Sequence, residues 1–205
     1  TFLSPTFVVR DFGDSMSDAF MMDKYCTAFY STKDKDSNQS GAFGLGRLAS
    51  LSLSATYTIA CYQNGKRRGY SVFINGDGLP ELVRTNNRDT DEPDGVEVSV
   101  PVQEKDIPSF EDALKRGLKY YPTKPVVKGK AGFKFEECRR TLTNDNWYVD
   151  SSLDRPIAIG GIYSYALESD NIPDLTPTQS NLLKSNLGLT LIFSPDELVP
   201  QVSRQ

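Results

Sequence analysis

The chain contains no histidine among its 205 residues. That excludes histidine general acid–base chemistry, Ser-His-Asp nucleophiles and His-ligated zinc within this stretch. Cysteine is scarce: Cys26, Cys61 and Cys138 are far apart, odd in number and without CxxC spacing. They read as reduced, mostly buried thiols of a cytosolic protein rather than a disulfide framework. No apolar run approaches the length of a membrane-spanning helix, and no signal peptide is visible. There is also no excess of positive charge. The net charge of -4 gives no bulk attraction to nucleic acid. The short cluster Lys66-Arg67-Arg68 reads as a solvated hairpin turn or, less simply, a local basic patch.

What is present is a soluble, globular composition, 38% hydrophobic and 24% charged, long enough for one large or two small domains. The run Thr6-Phe-Val-Val-Arg10 reads as a strand, and it delivers Asp11-Phe12-Gly13. Ser15 or Ser17 caps a helix expected to reach about Phe29, with Met16, Phe20 and Met21 toward the core. The polar stretch Ser31 to Ser40 reads as a loop, followed by Gly41-Ala-Phe-Gly44-Leu-Gly46-Arg47 and a helix-like run from Leu45 to Leu53. Thr56–Tyr62 and Gly69–Asn75 alternate as strands around the hairpin signal Asn64-Gly65. Asn75-Gly-Asp-Gly78 is a second turn, leading to the run Leu79 to Thr85, and Thr85 to Asp94 reads as a polar connection. Val96, Val98, Val100 and Val102 mark a half-buried strand.

Ser109 opens an amphipathic helix that Pro122 ends. The basic, glycine-containing stretch Lys124 to Gly132 reads as a boundary, so the expected domains are 1–123 and 124–205. In the second, Trp147-Tyr-Val149, Pro156–Tyr165 and Leu187–Phe193 read as strands, and Thr178–Ser185 as a helix. The expected architecture is α+β, an antiparallel or mixed sheet backed by helices on one face, followed by a smaller α+β unit.

The glycine string alone is weak evidence, because glycine-rich loops often do no more than turn the chain. Its order relative to the aspartate is more informative. An aspartate at a strand end accepts a hydrogen bond from an exocyclic amine, and glycines followed by a helix start leave backbone N–H groups for an anion. The pair Asp11-Phe12-Gly13 and Gly41-Ala-Phe-Gly44-Leu-Gly46 resembles the two glycine boxes of the GHKL superfamily. That superfamily includes gyrase-type topoisomerases, the ninety-kilodalton chaperone, sensor histidine kinases and mismatch-repair ATPases. A closer resemblance is to the rIIA family of rapid-lysis proteins of T4-like phages. It rests on Phe7-Val-Val-Arg-Asp-Phe-Gly-Asp-Ser-Met-Ser-Asp18, the Gly41–Gly46 run, Arg68-Gly-Tyr70, Asn75-Gly-Asp-Gly78, Gly95-Val-Glu-Val-Ser-Val-Pro-Val102 and Asp196-Glu-Leu-Val-Pro-Gln-Val-Ser-Arg204.

The resemblance implies a Bergerat-type nucleotide-binding fold followed by a transducer-like unit. It implies Asp11 on the adenine amine and Gly13 at the base. Gly41, Gly44 and Gly46, with Phe43 and Leu45 between them, would wrap the phosphates, and Lys33 or Lys35 would neutralise them. The plainer reading of those lysines is solvated loop charge. ATP is the implied ligand, bound weakly or lost, with magnesium only in a complete protein. Three departures bear on this. Ser15 stands where the family has a second glycine, with Asp14 before it. Asp94 replaces the threonine that often precedes the glycine of the last sheet motif, here Gly95. The Asn-bearing, metal-holding helix belongs before the first strand, where this chain starts, so the chain reads as part of a longer polypeptide without catalytic residues of its own. The implied role is a phage regulatory or interaction protein. It would act in lysis timing or exclusion through protein partners, in the host cytoplasm and at the inner membrane only indirectly, without direct nucleic-acid contact. The alternatives are an ATPase of the topoisomerase or chaperone type whose catalytic helix lies outside this segment, and a virion structural or binding module that kept the fold and lost nucleotide.

Overall fold

The computed structural model describes residues 5–27, 46–121, 123–160, 163–194 and 197. The chain divides into two compact units, the first ending at Ile107 and the second opening at Pro108.

The first unit is built on five strands: β1 (Thr6–Asp11), β2 (Thr56–Gln63), β3 (Lys66–Ile74), β4 (Pro80–Asp89) and β5 (Gly95–Pro101). Their order across the sheet is β1-β5-β2-β3-β4, and every neighbouring pair is antiparallel. The four strands expected to share a sheet do so. The β2–β3 hairpin closes on Asn64 and Gly65 with φ of 53° and 72°, the left-handed pair that a tight two-residue turn needs. β4 extends through the polar residues 85–89, where the sequence suggests a connection. It is an edge strand with nearly all its residues solvated, so its side chains carry no alternation and only the backbone ladder to β3 defines it.

α1 (Asp18–Asp23) starts at Ser17, whose hydroxyl accepts from the Phe20 N–H. It is shorter than the expected run to Phe29. The helical bonding gives way to a turn after Asp23, and residues 28 and 29 lie outside the described set. Met21 and Tyr25 from this segment pack with Tyr57, Ile59, Cys61, Tyr70, Val72 and Val100 of the sheet. Leu48 and Leu51 join them from a 3-10 helix, Gly46–Ser52, where the sequence suggests an ordinary helix. Each fully buried aliphatic side chain of this core, such as Ile59 or Val72, contributes about 1.5–3 kcal/mol. Helices therefore cover one face of the sheet, the face that carries Tyr57, Ile59 and Cys61.

The second unit carries α2 (Ile107–Gly117) and strands β6 (Arg140–Asn144), β7 (Trp147–Asp150), β8 (Ile157–Gly160), β9 (Tyr163–Ala166) and β10 (Leu189–Phe193), with α3 (Pro177–Lys184) before the last. The strand order is β6-β7-β10-β8-β9, and only β8 and β10 run parallel. Both sheets and their helices make an α+β molecule. α3 has a full capping box, Thr176 with Gln179.

From Pro108 on, α2 falls with the second unit, whereas the sequence suggests a boundary at 123/124. The cause is the turn that follows it. Lys119 lies 3.7 Å from the fully buried Asp150 and donates to Ser152 Oγ at 2.9 Å, and Tyr120 packs on the Tyr148–Ile157–Ile159 core. Lys124 Nζ closes the end by donating to the carbonyls of Leu118, Lys119 and Tyr121. The Lys124–Gly132 stretch carries no regular element, in keeping with its composition, but it follows the boundary instead of forming it.

Candidate nucleotide-binding site

Asp11 is the last residue of β1. It pairs with Val96, which pairs with Cys61, so its side chain belongs to the helix-covered face. It is solvent-exposed there. Its Oδ1 accepts from the Gly13 N–H at 2.8 Å, and a Cβ on Gly13 would sit 3.3 Å from that oxygen. Gly13 thus serves the close return of the Asp11 carboxylate. Oδ2 makes no hydrogen bond with the described residues, which leaves it an acceptor for an amine donor.

From Gly13 the chain crosses the end of the sheet and is fastened strand by strand. Ser15 Oγ donates to the Gly95 carbonyl of β5 at 3.0 Å. Burial pushes up the pKa of the Cys61 thiol on the neighbouring β2, opposed by the Met16 N–H and the Ser15 hydroxyl. Asp18 then accepts from Tyr70 of β3 at 2.7 Å and from Arg84 of β4 at 2.8 Å. Burial, followed by the Asp18 hydrogen bond, raises the Tyr70 pKa well above the ordinary range. The departure at Ser15 is therefore accommodated without left-handed backbone, since Asn64 and Asp174 are the non-glycine residues with positive φ among those described.

The departure at Asp94 has its own explanation. Its Oδ1 accepts from the Asn64 N–H at 3.0 Å, fixing the strand end to the β2–β3 hairpin. Gly95 has φ of 137°, and a Cβ there would lie 2.0 Å from the Asp11 carbonyl oxygen. That glycine is required by close approach as well as by backbone conformation.

Three residues at the site, Arg10, Arg47 and Tyr57, take part through contacts that no sequence pattern marks. Arg10, on the opposite face, lies 3.9 Å over the Tyr62 ring and 4.8 Å from the Phe12 ring centre. It donates to the carbonyls of Asp11 and Pro93, pinning the end of β1 to the chain entering β5. Its only signal is its place between a strand and two aromatic neighbours. Arg47, directly after the glycine box, donates from Nε to the Tyr25 carbonyl at 2.5 Å and from Nη2 to that of Thr27 at 2.5 Å. Its own carbonyl accepts from Tyr57 at 2.7 Å and Tyr25 at 3.1 Å, and the two phenols touch at 3.1 Å. Burial pushes the Tyr57 phenol up to about 12 and the Tyr25 phenol higher.

Of the second box, Gly46 opens the 3-10 helix, and a Cβ there would meet nothing within 4 Å. Lys33, Lys35, Gly41, Phe43, Gly44 and Leu45 lie outside the described residues. The same holds for Asp196, Ser203 and Arg204 of the C-terminal run.

The basic cluster is only partly solvated. Lys66 is exposed and pairs with Asp89. Arg67 bonds the Tyr62 hydroxyl and Asn86, and Arg68 buries one guanidinium nitrogen without a hydrogen-bond partner. Among the described residues no group of three or more Asp, Glu or Cys side chains converges to hold a metal ion.

No family model matches the chain, and no curated protein does. Solved structures do. The crystal structure of the ATPase region of Saccharomyces cerevisiae topoisomerase II superposes with a TM-score of 0.56 at 13% identity, over 91% of this chain and 63% of that one. The same region bound to ICRF-187 (dexrazoxane) gives 0.55 at 12% identity, with the same coverage. The chain thus shares the fold of that region and spans about 63% of the length of those structures.

Proposed function

We propose that the chain is a phage regulatory or interaction protein of the rIIA kind, built on a GHKL nucleotide-binding scaffold and acting through protein partners. The observation that carries the scaffold reading is the exposed Asp11 carboxylate at the end of β1. It is held by the Gly13 N–H and flanked across the sheet by the closely approached Gly95. The rIIA part rests on the motifs that run in order from Phe7 to Arg204.

The described residues fit one end of ATP better than the other. Asp11 Oδ2 suits an amine donor. At the phosphate end, Arg47 is engaged by main-chain carbonyls, and among the described residues no group of three acidic side chains gathers. No catalytic step is therefore assigned to these residues, and nucleotide is read as a weak ligand of this stretch. Complementation tests the role. The full reading frame, supplied to cells infected by a rapid-lysis mutant of a T4-like phage, is expected to restore delayed lysis. Unchanged rapid lysis with the protein present would reject it.

A second reading, an ATPase of the topoisomerase type, is favoured by the fold likeness. Phosphate release by the chain that Asp11→Asn abolishes would select it over the first.

A further inference from the structure

The two glycine boxes are each followed by a short helix, and the C-terminal side of one meets the N-terminal side of the other. The first box leads through Ser17 into α1 and on to Tyr25, and the second leads through Gly46 to Arg47. Tyr25 and Arg47 bond each other reciprocally. The Tyr25 hydroxyl donates to the Arg47 carbonyl at 3.1 Å, and the Arg47 guanidinium donates to the Tyr25 carbonyl at 2.5 Å. The guanidinium also reaches the carbonyls of Lys24 and Thr27, which follow the last turn of α1. Tyr57 of β2 donates to the same Arg47 carbonyl and touches the Tyr25 hydroxyl, which fixes the pair to the sheet. Arg47 lies 5.9 Å from the ring centres of both Phe20 and Tyr25.

We infer that Tyr25, Arg47 and Tyr57 form a clasp that makes α1 and the Gly46–Ser52 helix one mechanical body, so that Arg47 is a positioning residue linking the two boxes. The nucleotide-scaffold reading supplies only the reason such a link matters: the two segments it joins follow the two glycine boxes in the sequence. The physical argument is local. Residues 24–27 and 46–47 share no strand or helix; the common core holds both against the sheet, and these bonds fix one segment directly to the other. A neutral side chain at 47 would leave three carbonyls without the charge-assisted donor that gathers them.

Hydrogen exchange followed by mass spectrometry on the 205-residue chain, without ligand, tests this. Arg47→Ala is expected to speed exchange in both 18–27 and 46–53 by about tenfold or more, with β3, β4 and the second unit unchanged. Tyr57→Phe, which keeps the ring in the core, should speed 46–53 by a few-fold. Arg47→Lys should restore part of the protection in both segments. Faster exchange confined to 46–53 in Arg47→Ala would overturn the inference, since the helices would then move separately. A uniform rise across all five strands in both variants would also overturn it, reducing the residues to ordinary core. Because no nucleotide enters the measurement, its failure leaves the scaffold reading standing, and an absence of ATP binding leaves the clasp standing.

Discussion

Ser15 Oγ donates to the Gly95 carbonyl at 3.0 Å, joining the first glycine box to the strand that carries the last sheet motif. The residue that departs from the family pattern is thus the one that fastens the loop. Ser15→Gly removes this bond and adds backbone freedom to the unfolded chain. The two effects together are expected to cost about 1–2 kcal/mol. Urea melts of the first unit's transition should show it as a lower midpoint with unchanged slope. An unchanged midpoint would mean that solvent replaces the bond without loss.

Gly95 tolerates less. A methyl group there would lie 2.0 Å from the Asp11 carbonyl oxygen and 2.8 Å from Arg10 Nη1, on a backbone with φ of 137°. Neither the strand nor the guanidinium has room to yield without breaking the Arg10 bonds to Asp11 and Pro93. Gly95→Ala is expected to destabilise the first unit by at least about 3 kcal/mol. Circular dichroism on heating should show early melting of that unit with the second transition in place. Loss of less than about 1 kcal/mol would contradict the strain argument.

Legibility in the sequence followed burial. β2, β3 and β5 put apolar residues at alternate positions on the helix-covered face, Tyr57, Ile59 and Cys61, Tyr70 and Val72, and Val96, Val98 and Val100, and Asn64-Gly65 announces its turn, so these elements could be read directly. β4 could not be read past Thr85, because an edge strand solvated on both faces leaves no pattern. β6 escaped for the same reason: all five of its residues are exposed. At the candidate site, the end of β1 at Asp11 and the return at Gly13 were legible, because a strand run followed by a carboxylate and a glycine makes a local pattern. Arg10, Arg47 and Tyr57 were not, because their partners stand 83, 22 and 10 residues away and nothing periodic connects them.

The second unit is expected to weaken in acid through Asp150. Burial opposes ionisation of this fully buried side chain. Hydrogen bonds from the Ser152 hydroxyl, the Ser152 N–H and the Arg139 N–H outweigh that, with Lys119 adding its charge, and they hold the carboxyl below the ordinary range. A depressed folded pKa contributes stability above the unfolded aspartate value of about 3.9, and that contribution is lost as pH falls through the folded value. Melting of the second unit should therefore be flat from neutral to about pH 5 on this account and decline below about pH 4. Asp150→Asn should lower stability at neutral pH by about 3 kcal/mol, because Lys119 loses its partner, and should flatten the acid decline. An acid limb as steep as the wild type's would assign the effect to other carboxylates.

Nucleotide affinity is decided by opposing terms. Asp11 Oδ2 is available to an amine, and glycines leave backbone donors for phosphate. Against this, Asp14 is exposed beside the first box, Arg47 is engaged by carbonyls, and no described acidic cluster suits a metal ion. Surface charge terms are each worth about 1 kcal/mol or less, whereas a chelated metal is worth several times that. Calorimetry of the 205-residue chain with ATP and magnesium should therefore give a Kd no tighter than roughly the high-micromolar range. Removing the charge alone, Asp14→Gly, should tighten binding by about threefold, as expected from under 1 kcal/mol. Adding Ser15→Gly should give back some of that gain by releasing the Gly95 carbonyl. Low-micromolar binding by the unaltered chain would show that residues 28–45 supply cationic or metal-holding groups strong enough to reverse the balance.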